Sequence, residues 1–185
     1  MPKYEIIYTD PPWDYKGQTQ HGTVSTDTGS ASKHYKTMSV DDMITKFTPL
    51  LSKITPENCL MFMWTSSPHL DQAIKLGEGW GFDYSTVAFV WYKQKPNPGF
   101  YTMSECEIVL LFKKKGGKIP SPRGSRRERQ FLAEERREHS RKPDEIRKRI
   151  ERMFPKQKKL EMFARSSPKG WSVMGNQTSK FTSKK

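Results

Sequence analysis

The run Asp10-Pro11-Pro12-Trp13 brings together a carboxylate, two fixed backbone units and an aromatic ring. That set suits methylation of an exocyclic amino nitrogen on a base. The lone pair of such a nitrogen is delocalised into the ring, and a site can localise it by accepting both of its N–H bonds. Asp10 offers a carboxylate oxygen for one of them. Pro11 offers a backbone carbonyl for the other, held by a restricted φ on both sides of the Pro11-Pro12 bond. Trp13 adds a flat face on which a base can stack, worth roughly 1–3 kcal/mol. The plainer reading of the same residues is a turn that ends a strand, with an exposed Trp beside it.

The residues before Asp10 decide where its carboxylate points. Residues 4–9 are almost all β-branched or aromatic, the composition of a buried strand. Two consecutive prolines, with no N–H to donate, then end its ladder. Ligands of open α/β sheets bind beyond the carboxyl ends of the strands, so Asp10 is expected to face a crevice. Residues 14–37, rich in Gly, Thr, Ser and Gln, read as a mobile active-site loop. Ser39, with Asp42 three residues on, predicts the cap of a helix over 40–53. Residues 59–64 form an unbroken apolar strand, and Pro68 opens a helix to about Gly77. Residues 85–92, 107–112 and 159–165 supply further strands, and Lys142-Pro143-Asp144-Glu145 opens a helix that runs to Pro155. Strands alternating with helical segments predict a mostly parallel sheet in an α/β domain.

Composition narrows the class. At 185 residues with 34% hydrophobic side chains the chain is expected to be one domain with a substantial core. No stretch approaches the roughly 20 apolar residues of a membrane span. The N-terminus runs straight into the first strand, so a cytoplasmic protein is expected, with no membrane partner. Cys59 and Cys106 lie in apolar runs without metal-ligand spacing, and His21, His34, His69 and His139 share no spacing, so no metal is expected. Charge is placed unevenly. Residues 1–112 carry nine lysines, no arginine and twelve acids, whereas residues 113–159 carry nineteen basic side chains against seven acids. The dense block reads as a grip on a polyanion, with Arg123, Arg126, Arg127 and Arg129 as candidate substrate contacts. A solubilising charged face is the alternative. The block is expected to be poorly ordered, with a helical piece from Arg126 to Glu138.

Further segments in order along the chain carry a resemblance. They are Tyr35-Lys36-Thr37-Met38-Ser39, residues 60–64, Trp91-Tyr92-Lys93, residues 139–146, Leu160-Glu161-Met162-Phe163-Ala164-Arg165, and Gly170-Trp171 through Gly175-Asn176-Gln177. Together with Asp10-Pro11-Pro12-Trp13 they resemble the MT-A family of adenine N6-methyltransferases, which includes the messenger-RNA enzyme's catalytic subunit and many phage and bacterial DNA enzymes. The resemblance implies a Rossmann-like, doubly wound α/β sheet with permuted motif order, catalytic motif first and cofactor motif last. It implies one methyltransferase domain over 1–177, with 113–142 as a basic nucleic-acid-binding insertion and 178–185 as a disordered tail.

By the same resemblance, Asp10, Lys142, Phe163, Arg165, Ser167, Asn176 and Gln177 contact S-adenosylmethionine. Tyr35 and Trp64 line the adenine pocket, with Lys93 near the substrate. Lys142 and Arg165 suit a carboxylate or ribose hydroxyls, and the carboxamides of Asn176 and Gln177 pair donors with acceptors. For Arg165, a salt bridge capping the last strand is the alternative. The implied activity is direct methyl transfer to adenine N6, in DNA ahead of RNA, in a bacterial or phage-infected cell. A non-catalytic nucleic-acid-binding scaffold is the rival of another class, and a homodimer is left open.

Overall fold

The structure, a computed structural model, describes residues 1–14, 37–98, 101–138 and 141–181. The loop expected at 14–37, Tyr35 included, falls almost wholly outside the described residues. The elements are β1 (Ile6–Thr9), α1 (Val40–Ile54), β2 (Leu60–Thr65), α2 (Leu70–Gly79), β3 (Phe82–Asn97), β4 (Ser104–Lys114), β5 (Phe131–Ala133), α3 (Asp144–Met153), β6 (Lys159–Met162) and β7 (Ser172–Met174). Seven strands form one sheet in the order β5-β3-β4-β2-β1-β6-β7.

β1 lies between β2 and β6, parallel to both, and every residue of β1 and β2 is buried. Strands covered on both faces need apolar side chains at every position, which is why these two read as continuous apolar runs. Alternate residues point to opposite faces. Ile7, Met61, Met63, Leu110 and Phe112 join Met43 and Leu51 of α1 and Ala73 and Leu76 of α2 in one core. Ile6, Tyr8, Phe62, Trp64 and Val109 join Ile146 and Ile150 of α3 in the other. Helices therefore cover both faces of the sheet, as expected of a doubly wound fold. α1 begins where its cap predicts: Asp42 N–H donates to Ser39 Oγ at 3.1 Å, and Ser39 Oγ donates back to Asp42 at 2.7 Å.

Several expectations need correction. The sheet is mostly parallel, as expected, but β4 runs antiparallel to both β2 and β3. β3 and β4 form a hairpin, and an apolar run does not encode strand direction. The basic stretch from Arg126 is not helical. Its backbone follows the edge of β3, where β5 pairs in parallel. Gln130 donates to Val87 O at 2.7 Å, Trp91 Nε1 donates to Glu134 O at 2.7 Å, and Arg149 of α3 donates to the carbonyls of Arg129 and Phe131. With no apolar helical face to bury, this stretch instead satisfies its own backbone at a sheet edge. Residues 178–181, expected as disordered tail, fold back so that Phe181 N–H donates to Arg165 O at 2.9 Å.

One packing contact tests the layer of α2 against the sheet. A Cβ on Gly77 would stand 2.2 Å from the fully buried Phe112 ring. Alanine would gain about 1 kcal/mol of helix propensity, yet overpacking against an immobile ring costs about 1–3 kcal/mol. Gly77→Ala is therefore expected to lower the urea midpoint. A raised midpoint would mean that the ring gives way.

Candidate active site

β1 delivers Asp10 to the carboxyl edge of the sheet, and the turn that follows is braced. Pro11 O accepts the Trp13 N–H at 2.9 Å, and Pro12 O accepts the Met38 N–H at 3.0 Å. Pro11, Pro12 and Trp13 are buried. Trp13 does not present the open stacking face expected of it. It is only 4% exposed, and its ring stacks on His69 at 5.9 Å between centroids. Burial pushes the His69 pKa down, so the imidazole against the indole is neutral near pH 7. The turn thus leaves the Asp10 carboxylate, 22% exposed, as the group it offers to a ligand, with a second lone pair on Pro11 O beside it.

Asp10 borders two cavities, of about 340 Å³ and 320 Å³. Tyr8, Trp64, Lys142, Glu161, Ser167 and Phe181 line the first. Pro12, Met38, Phe47, Met174, Asn176 and Gln177 line the second. Phe163 and Arg165 border both. The dividing wall is built under strain. Phe163 adopts φ of +56°, a left-handed conformation that is unfavourable for a bulky residue. β7 holds it there: Ala164 N–H donates to Met174 O at 3.0 Å, and the Phe163 ring meets Phe47 edge-on. Gly175 follows β7 so closely that a Cβ would stand 2.5 Å from Ala164 O. Asn176 and Gln177 are thereby held against the wall. Two cations, two carboxamides and an aromatic ring fit a ligand carrying a carboxylate, hydroxyls and a flat heterocycle.

A chain of alternating charge runs away from Asp10. Lys142 Nζ stands 3.4 Å from Asp10 and 2.9 Å from Glu107, and Lys93 Nζ is 3.7 Å from the same Glu107 carboxylate. Burial pushes the Glu107 carboxyl up, but the two ammonium groups outweigh it and hold it below the ordinary range. Lys142 also lies over the Trp64 ring at 5.5 Å. The Trp64 indole donates to the Tyr8 hydroxyl, and both rings are almost wholly buried. Lys93, expected near the substrate, is 3% exposed and reaches the site through Glu107. Glu107 itself was invisible in the sequence, because a single acid opening an apolar run carries no motif.

The four arginines singled out in the sequence are not at this site. Arg123 lies over the Phe154 ring at 5.5 Å, and Gly124 N–H and Ser125 N–H bond the carbonyls of Met153 and Arg152. Arg123, Arg126 and Arg127 therefore stand by the C-terminal end of α3, about 15 Å along that helix from the cavities. Arg129 is held midway, its carbonyl taken by Arg149. The cations bordering the first cavity are Arg141, Lys142, Arg147, Lys148 and Arg165. Three of these were missed, although they flank the helix start that the sequence marked. Among the described residues no cluster of His, Cys, Asp or Glu could hold a metal ion.

Two carboxylates lend themselves to measurement. Glu107→Gln keeps the shape but leaves the Lys93 ammonium buried without its anion, an expected loss of about 3 kcal/mol in urea unfolding. Adding Lys93→Met should recover part of that loss, whereas purely additive losses would separate the two residues. Glu161 is a different case. Burial pushes its carboxyl up to about 7, against the opposing Arg147 guanidinium 3.4 Å away. A folded-state pKa above the unfolded 4.5 favours the neutral form, so its contribution is complete below pH 4.5 and lost as pH rises through 7. Glu161→Gln should match the parent at pH 4 and exceed it at pH 8.5, by up to about 3 kcal/mol. A pH-independent difference would contradict the shift.

Comparison with known proteins covers nearly the whole chain. The chain is 45% identical over 184 residues to the type II methyltransferase M.MunI of a Mycoplasma species, covering 94% of this chain and 77% of that protein. It is 27% identical to the N(6)-adenosine-methyltransferase MT-A70-like protein of Arabidopsis thaliana, over 94% of this chain and 24% of the plant protein. It is 25% identical to the N(6)-adenosine-methyltransferase subunit METTL3 of Danio rerio, over 95% of this chain and 28% of the fish protein. It thus spans about a quarter of these two longer relatives. The family model described as MT-A70 matches residues 4–177, a span that holds Asp10, Glu107, Lys142, Phe163, Arg165 and the Asn176-Gln177 pair, and the chain belongs to the MT-A70 family.

Proposed function

We propose that this protein transfers a methyl group from S-adenosylmethionine to the N6 amino group of adenine in DNA. The observation that carries the reading is the meeting of two cavities at the Asp10 carboxylate. The residues assigned to the cofactor line both cavities, and Asp10 at their junction can touch the methyl donor and an amine placed against it. When bound, S-adenosylmethionine supplies an electrophilic sulfonium methyl. Asn176 and Gln177 hold ribose hydroxyls, Phe163 faces the cofactor's adenine, and Lys142 and Arg165 take its carboxylate, with Ser167 beside them. Asp10 accepts one N–H of the target amine and Pro11 O the other, turning the lone pair toward the methyl group. Trp64 supports the pocket from below through Lys142.

Support for DNA comes from the type II methyltransferase relative, which is both more similar and nearer in length than the N(6)-adenosine-methyltransferases. Arg141 and Lys148, which border the first cavity, are the proposed phosphate-side cations. Arg123, Arg126, Arg127 and Arg129 would touch only nucleic acid that continues past the site. Their binding energy should weaken steeply with salt.

Transfer of radiolabelled methyl to double- and single-stranded DNA and RNA, followed by nucleoside digestion, tests the reading. Label is expected in N6-methyldeoxyadenosine. Label in the ribonucleoside would move the assignment to RNA. Asp10→Ala should lower turnover by about 10²–10³ through lost stabilisation of the transition state, with nucleic-acid binding kept. A variant retaining a tenth of parental turnover would remove Asp10 from that role.

A further inference from the structure

We infer that the arm formed by β3 and β4 is a wedge that enters a DNA duplex beside the target adenine, with Tyr101 filling the gap in the base stack. This rests on the DNA reading above. The arm leaves the sheet at the catalytic edge. β2 ends at Thr65, opposite Ile108, and the next residue along β4 is Glu107, which touches Lys142. β5 flanks β3 up to the pair of Tyr92 with Ala133, and among the described residues β3 and β4 then continue without another strand to the pair of Asn97 with Ser104. The Asn97–Ser104 pair stands three residues past Glu107, about 10 Å farther out.

The arm is braced rather than loose. Arg136 Nη1 donates to Asn97 Oδ1 at 2.9 Å, Arg136 N–H donates to Lys93 O at 3.1 Å, and Lys95 pairs with Glu135. Gln94, at φ of +57°, marks the irregular register between Tyr92 and Asn97, and such irregularities re-aim a hairpin. What this braced arm presents is apolar: Tyr101 is 99% exposed and Met103 is 55% exposed. Neither joins a core cluster. A braced support for an aromatic side chain that joins no core cluster among the described residues calls for a surface that covers it on binding.

The chemistry of the site names that surface. Asp10 lies at the cavities, so adenine in a duplex reaches it only by leaving the stack. The vacated step exposes two base faces. An aromatic ring replaces lost stacking on them, and an apolar wedge holds such a step open. Tyr101 supplies the π face and Met103 a polarisable neighbour.

The full chain is tested with a duplex in which the parent deposits label, mapped first on unmethylated plasmid DNA. The same duplex carrying an abasic site opposite the target adenine serves as the comparison. Tyr101→Ala is expected to lower kcat/KM on the intact duplex roughly 10- to 100-fold, the loss of one base–aromatic stack. On the abasic duplex, where the adenine is already unpaired, the loss should stay under about 3-fold. Tyr101→Phe, which keeps the π face, should behave as the parent on both. Equal losses on the two duplexes, or no loss on the intact one, would overturn the wedge. So would a shift of Tyr101→Ala to smaller species in sedimentation, which would assign the tip to self-association. A parent that labels no duplex at all overturns the DNA reading instead.

Discussion

The ammonium of Lys142 is the contact on which the site depends. It lies 3.4 Å from Asp10 and 2.9 Å from Glu107, and these three residues come from the β1 turn, the residue before α3's cap, and β4. Two half-buried carboxylates near one another repel unless a cation stands between them. At an effective dielectric near 20, a unit charge pair at 4 Å is worth about 4 kcal/mol, enough to offset much of the desolvation that each carboxylate suffers. Lys142 therefore ties α3 to the sheet edge while keeping both acids available as acceptors. Lys93 serves the same balance from behind: it shares the Glu107 carboxylate with Lys142, so that the buried Glu107 charge does not rest on Lys142 alone.

That arrangement requires a particular sheet. Asp10 reaches the cavities because β1 is central and ends in two prolines, and Lys142 reaches Asp10 because α3 starts at the same edge where β1 and β6 finish. β6 then turns abruptly at Phe163. A bulky residue with positive φ costs of order 1–3 kcal/mol, and the bond from Ala164 to Met174 with the close approach of Gly175 holds it in place. The result is a ring that separates two compartments while forming a wall of each.

How much of this could be read from residues alone follows from which interactions are local. The Asp10 turn, the Ser39–Asp42 cap and the start of α3 depend on neighbours in sequence, and each stands where its residue types put it. β1 and β2 were legible for a related reason, since burial on both faces leaves an apolar run. Strand direction was not legible in β4, because its apolar pattern serves parallel and antiparallel ladders alike. β7 is three residues long and held by its neighbour β6, so no period marks it. Glu107 and the Trp13–His69 stack were hidden because their partners lie far away in the chain. In the basic block, composition did not show which cations are available. A high density of arginine signals a polyanion, but several of these side chains are occupied within the fold, Arg149 with carbonyls of the block and Arg152 with Glu128 and Glu145.

Charge density and charge availability therefore differ, and the same distinction applies to the cysteines. On the proposed reading the methyl group passes between two bound molecules without resting on the enzyme, and such a site needs alignment more than nucleophilicity. Cys59 is fully buried at the amino-terminal end of β2, away from Asp10, with its thiol pushed up to about 12 by burial. It is a poor nucleophile in the wrong place. The groups that border both cavities are instead a carboxylate, a guanidinium and a phenyl ring. None of these forms a covalent adduct readily with an alkyl donor, and all three can orient a ligand. On that reading the labour is divided among these side chains: the wall positions, the Asp10 turn polarises, and the bond-making electrons come from the acceptor.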